Sequence, residues 1–192
     1  MTTPAFDSAH SLKDHFLIAM PSLRDPFFAN SVIYLMQHNE AGAFGLVVNH
    51  PMKMQMDEVF EQLGIDDLRP ASALQTVLAG GPVEKEKGFV LHDAEPNWPS
   101  SMVLKPGLTL TTSKEILESI GLNTGPARYL VALGCSGWNP GQLEKEIAEN
   151  SWFTCPATEA ILFSSDYANM SNLAAATLGF TMAQLTSDVG YS

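Results

Sequence analysis

Residues 31 to 48, SVIYLMQHNEAGAFGLVV, decide the fold class. Ser31 to Gln37 is rich in β-branched and aromatic side chains and reads as a strand. Gly42 breaks the run, and Phe44 to Val48 resumes it. The Asn-Glu-Ala-Gly link is far too short for a crossover helix, so the two runs are expected to pair as an antiparallel hairpin, although the turn is not of the tightest kind.

Working outward, His15 to Met20 reads as a buried strand, and Asp25-Pro26 resets the backbone before the hairpin. Residues 1 to 12 are polar and aperiodic and are expected to form a flexible leader, with one domain over 13 to 192. Met56, Val59, Phe60 and Leu63 recur at helical spacing and Gly64 follows as a C-cap, so a helix is predicted over 56–63. Strands are expected at Thr76–Ala79 and Gly88–Leu91, an irregular loop over 93–100, and short strands at Ser101–Leu104 and Leu108–Thr111. Thr112-x-x-Glu115 has the form of a capping box opening a helix that ends at Gly121. Ala127 to Leu133 reads as a buried strand. Asn139-Pro140-x-Gln142 reads as a helix start with Asn139 capping and Pro140 first, the helix running to about Glu149. A short strand near Trp152–Thr154 and helices within 157–163, 166–178 and 181–186 complete the chain. Several connections between strands are too short for a regular parallel α/β sheet, and the reading is α+β.

Composition narrows the function classes. The 192 residues are 45% hydrophobic and 16% charged, enough apolar content to order the chain throughout. Twenty-one acidic residues against 10 basic ones give a formal charge of -11. That field repels phosphate backbones, and no basic stripe offsets it, so direct nucleic-acid binding is disfavoured. Neither a secretion signal nor a membrane span is legible. Cys135 and Cys155 form no CxxC pair and read as reduced thiols, which suits a cytoplasmic protein.

Tests for chemistry return little. Gly134-Cys135-Ser136-Gly137-Trp138 sits where a hydrolase elbow would, but Trp138 replaces the last glycine, which argues against Ser136 as a nucleophile. Cys135, placed between a strand and a helix start, is the better nucleophile or redox candidate; a buried structural thiol is the plainer reading. The histidines stand in no metal-binding pair, Asp66-Asp67 falls in a loop, and Glu144, Glu146 and Glu149 read as a solvated helix face. Gly80-Gly81-Pro82 is a turn and not a phosphate loop, since Pro82 lacks an amide and no Gly-Lys-Ser/Thr follows. Met52, Met54 and Met56 alternate with polar residues and read as core filling.

Five strings occur together and in order: HFLIAMPSLRDPFF (15–28), SVIYLMQHNEAGAFGLVVNHP (31–51), LAGGPVEKEKGFVLH (78–92), TTSKEILESIG (111–121) and GCSGWNPGQLEKEIAENSW (134–152). Together they closely resemble the YqgE/AlgH family of bacterial proteins. The resemblance implies an α+β domain with a bifurcated, largely antiparallel sheet, partly closed into a small barrel and surrounded by helices. It implies a cytosolic protein and a regulatory association with alginate production, and it carries over neither catalytic residues nor a cofactor. Similar members often read Gly-Tyr-Ala/Ser-Gly/Ser-Trp where this chain has Cys135, which weighs against a shared thiol chemistry. Their Gly-His-Ala-like ending is replaced by Gly190-Tyr191-Ser192.

These readings lead to a non-enzymatic regulatory or interaction protein acting through a protein partner or small ligand. The expected contact surface is where glycine-rich strand ends emerge, at Arg24, Asp25, Asn49, Gly80, Gly81, Gly134, Trp138 and Gln142. The competing reading is a thiol-based enzyme or redox sensor using Cys135.

Overall fold

The computed structural model describes residues 10–66 and 74–187. The leader ahead of His10, Asp67 of the acidic pair and the Gly190-Tyr191-Ser192 ending lie outside these residues. The described strands are β1 (His15–Ala19), β2 (Val32–Asn39), β3 (Gly42–Val47), β4 (Pro51–Gln55), β5 (Thr76–Ala79), β6 (Val83–His92), β7 (Ser101–Lys105), β8 (Leu108–Thr111), β9 (Tyr129–Trp138) and β10 (Trp152–Pro156). The helices are α1 (Met56–Gln62), α2 (Lys114–Gly121), α3 (Gln142–Ala148), α4 (Glu159–Leu162), α5 (Met170–Ala176), which a 3₁₀ turn at Tyr167–Asn169 precedes, and α6 (Met182–Ser187).

The chain forms two compact units. The first holds the residues through Asn49, Gly81–Val83 and everything from Ser136 onward; the second holds His50–Gly80 and Glu84–Cys135. In the first unit the strand order is β10-β1-β2-β3, followed by the second half of β9. Leu17, Ile33, Leu35, Val47, Trp138, Leu143 and Trp152 make its core, with Phe27 and Phe28 packed against them. In the second unit β4 pairs β5, β5 pairs the first half of β9, and β6, β8 and β7 follow in that order. Met56, Val59 and Phe60 of α1 meet Ile116 and Ile120 of α2, together with Val77, Val90 and Val131. The helical spacing read at 56–63 therefore marks the buried face of α1.

Both units are α+β and largely antiparallel, as read from the short connections. The β2–β3 hairpin forms with Asn39 opposite Gly42, so only Glu40 and Ala41 link the strands and the turn is tighter than expected. Among the pairings β1–β2, β1–β10, β2–β3, β3–β9, β4–β5, β6–β8 and β7–β8 all run antiparallel, whereas β5 and β9 run parallel.

Two glycines are set by this geometry. Gly42 has φ of +120°, and a Cβ there would collide with the Trp138 carbonyl oxygen. Gly134 has φ of +76° in the middle of β9, a left-handed conformation that a side chain makes costly.

Several expectations are corrected. Strand β9 does not end at Leu133 but runs on to Trp138, so the suspected elbow is strand throughout. Strand β6 begins at Val83, and its charged start does not prevent pairing. Strand β4 goes unread in the sequence because its alternation of Met52 and Met54 with polar residues has only five positions; both methionines pack on the second core, as core filling requires. The residue capping α2 is Ser113 and not Thr112, because Thr112 still gives its N–H to the Ser100 carbonyl. The residue capping α3 is Gly141 rather than Asn139, whose N–H is taken by the Gln142 side chain one turn earlier.

Candidate functional site

In the first unit, two of the expected contact residues, Trp138 and Gln142, converge on a carboxylate that sequence reasoning had assigned to a solvated face. Glu146 lies one helical turn from Gln142 on α3, and Gln142 Nε2 donates to Glu146 Oε1 at 2.9 Å. Glu146 Oε2 accepts both indole N–H groups, from Trp138 at 2.9 Å and Trp152 at 2.8 Å. The two tryptophans are 6% and 5% exposed, so these bonds satisfy donors that water hardly reaches. The rings meet edge to face at 6.1 Å. Phe28 stacks on Trp138 at 6.3 Å and meets Trp152 edge-on at 5.7 Å.

Asp25 sets the position of Phe28. Its Oδ1 accepts the N–H groups of Phe27 at 2.8 Å and Phe28 at 2.9 Å, which closes the turn begun at Asp25-Pro26. Gln142 Oε1 accepts the Asn139 N–H at 3.0 Å. The polar side chains of Asp25, Gln142 and Trp138 are thus engaged in shaping the aromatic cluster. Arg24 is exposed at the start of the same turn and enters no ion pair among the described residues. Asn49 stands apart: it accepts from the Val32 N–H at 2.8 Å and donates to the Asn30 carbonyl at 2.9 Å, tying the entry of β2 to the end of β3. Gly81 is buried in this unit.

The other carboxylates on α3 have separate partners. Glu144 Oε1 lies 2.8 Å from His38 Nε2, and His38 Nδ1 accepts the Leu12 N–H at 2.9 Å. Accepting at Nδ1 leaves the proton of the neutral ring on Nε2, where it is donated to Glu144. Glu149 pairs at the surface with Lys145 at 3.8 Å. A signal for Glu146 existed in the sequence, namely a Gln and a Glu four apart on a helix bracketed by tryptophans.

In the second unit, Gly80 and Gly134 come together at the carboxyl ends of the parallel pair. Ala79 lies opposite Leu133, and the Gly80 N–H donates to the Leu133 carbonyl at 2.8 Å. The Ala79 N–H donates to the His50 carbonyl, which brings the start of β4 to the same end of the sheet. Cys135 follows Gly134 inside β9, seven residues before α3 begins, and does not stand at the start of that helix. Burial, with Glu84 adding in the same direction and Lys87 opposing, raises the Cys135 pKa to about 11. Its Sγ–H points at Glu84 Oε2 at 3.9 Å. The thiol is protonated at neutral pH, the reverse of the activation a nucleophile or redox sensor needs. Ser136 is fully buried in the first unit.

A hydrogen-bond chain links β6, β8 and β7 of the second unit. Ser101 Oγ donates to the Trp98 carbonyl at 2.8 Å and stands 2.6 Å from Thr111 Oγ1, which stands 2.8 Å from His92 Nε2. With the Ser101 proton committed to Trp98, Thr111 donates to Ser101 and His92 donates to Thr111. Trp98 meets the His92 ring edge-on at 5.3 Å and gives its indole N–H to Ser119 of α2 at 2.9 Å. Burial lowers the His92 pKa below 6.5, with Asp93 and the Ala94 backbone opposing. Among the described residues no three His, Cys, Asp or Glu side chains converge to hold a metal, and no helix is long and apolar enough to cross a membrane.

Comparison with known proteins places these features in a family. A family model described as AlgH-like matches residues 16–183, and the chain belongs to that family. A UPF0301 protein of Shewanella loihica is 44% identical over 183 residues, covering 95% of this chain and 99% of its own length. A UPF0301 protein of Chromobacterium violaceum is 45% identical over 184 residues, covering 95% and 98%. The solution structure of the AlgH protein from Pseudomonas aeruginosa matches with a TM-score of 0.79 and 43% identity over the whole of both chains. A crystal structure of a Corynebacterium diphtheriae protein shares the fold, with a TM-score of 0.70 at 18% identity over 95% of this chain and 94% of its own.

Replacing Glu146 by Ala strands two buried indole donors and is expected to cost about 1–3 kcal/mol for each. Denaturant unfolding measures that loss, and tryptophan fluorescence of the folded variant should shift with it. The second prediction concerns pH. The folded state holds His92 neutral while the unfolded chain takes up a proton near 6.5, so stability falls as pH drops below 6.5. His50, lowered by burial, contributes with the same sign. Unfolding curves at stepped pH should show this decline, and His92→Gln should make it shallower; an unchanged slope would remove His92 as its source.

Proposed function

We propose that the chain is a non-enzymatic regulatory or interaction protein of the cytoplasm that acts through a protein partner or small ligand. The observation that carries this reading is the state of Cys135, a buried thiol raised to about 11 and turned toward a carboxylate. The residue best placed for covalent chemistry is held in its unreactive form. The side chains first suspected of ligand contact shape surfaces instead: Asp25, Gln142 and Trp138 fix the aromatic cluster, and Gly80 and Gly134 allow close backbone approach at the ends of a parallel strand pair. Arg24 is an exposed charge in the turn that places Phe28, forms no ion pair among the described residues, and is the natural anchor for an anionic group on a partner. The formal charge of -11 weighs against nucleic acid as the partner. The regulatory association that goes with the AlgH name is in accord with this role.

Native mass spectrometry of the protein purified gently from its host at low salt tests the proposal. A stoichiometric adduct, protein or small molecule, is expected in the wild type and should be depleted in Arg24→Ala. Bare protein alone, or an adduct indifferent to Arg24→Ala, would overturn the reading or its anchor respectively.

A further inference from the structure

The first half of β6 is a sheet edge. Strand β8 pairs with β6 only at Val90, Leu91 and His92, so among the described residues no strand lies beside Glu84–Gly88 on that side. The five residues Val83 to Lys87 are all exposed. Glu84 has a positive φ of 47°, which leaves Lys85 to Gly88 as the extended stretch, and Lys87 reaches Glu84 at 3.5 Å. Lys85 and Glu86 form no ion pair among the described residues. An open edge of this kind is a template for another strand.

We infer that the Lys85-Glu86-Lys87 alternation codes this edge against a second copy of the same chain. The argument is one of parity. Along a strand, successive residues turn their N–H and C=O groups to opposite sides, so only every second residue directs them to the open edge. An antiparallel ladder hydrogen-bonds outward residues to outward residues. When both strands are the same edge of two identical copies, paired residues therefore differ by an even number of positions. No such register sets Glu opposite Lys, and the one centred on residue 86 sets Glu86 against Glu86 and Lys85 against Lys87. Like charges directly opposed destabilise a pair, and in that register two lysine pairs flank the glutamate pair. A parallel pairing opposes Glu with Lys only with a one-residue stagger, and no two-fold axis closes that arrangement. A foreign strand escapes the parity rule because its charges are free to be complementary.

The test uses exposed positions only and leaves Glu84 in place. Two variants are prepared, Glu86→Lys and the double variant Lys85→Glu with Lys87→Glu. In the register centred on residue 86 their mixture opposes Lys with Glu at three successive positions, while each alone opposes like charges. Sedimentation velocity at low salt should show each variant monomeric alone and a heterodimer in the equimolar mixture, lost at high salt. A third variant with Thr at 85, 86 and 87 removes the repulsion and should self-associate where the wild type does not. A mixture without heterodimer together with a monomeric Thr variant would overturn the inference, as would wild-type protein that dimerises through this edge.

Discussion

Strand β9 is the constraint on which the rest depends. Its residues Leu78-facing Ala132 and Ala79-facing Leu133 hold the parallel pair of the second unit, while Ser136, Gly137 and Trp138 pair with Gly45, Phe44 and Ala43 in the first. One strand thus supplies ladder bonds to two separate cores, and it does so with a left-handed residue between its halves. Only Gly134 meets that need at low cost, which gives the glycine a structural reason to sit beside the most chemically suggestive residue of the chain. Cys135 is buried, and burial is what disarms it.

The same strand ends by delivering Trp138 to the Glu146 carboxylate. A carboxylate that receives two indole donors and a side-chain amide is a junction that fixes ring positions, and the aromatic cluster around Phe28 inherits its geometry from it. The chain therefore spends its polar side chains on orientation. Residues that look like ligand donors in isolation, Asp25, Asn49 and Gln142 among them, act here as turn locks and braces. What this leaves at the surface is shape, backbone and exposed charge, a combination suited to recognition.

Much of the fold was legible because it rests on local rules. The hairpin at 31–48 followed from β-branched runs with a link too short to cross over, and α1 from apolar spacing at 56, 59, 60 and 63. The failures share a cause, which is that long-range partners override local signals. The Val83–Lys87 stretch looks like a polar loop, yet it is the first half of β6. The Gly134–Trp138 segment imitates a strand-to-helix turn until β3 extends it. Thr112 has a capping sequence, yet its N–H is claimed by Ser100. The candidate site was legible in part for the same reason: Trp138 and Gln142 stand out by their place after a buried strand, whereas Glu146 is set apart from Glu144 and Glu149 only by Gln142 four residues earlier and by the tryptophans on either side of the helix. The plainer reading of Cys135 as a buried structural thiol stands: burial raises its pKa, and Glu84, fifty-one positions away in sequence, adds to the shift beyond the reach of local signals.

The account turns on whether the chain works by recognition or by thiol chemistry, and the pH dependence of Cys135 alkylation decides between them most directly. With modification sites assigned by mass spectrometry, iodoacetamide should react with Cys135 in the folded protein far more slowly at neutral pH than with an ordinary exposed thiol, the rate climbing toward an inflection near 11. A rate that is already high and flat at neutral pH would mean a thiolate at rest in β9, and would contradict the account.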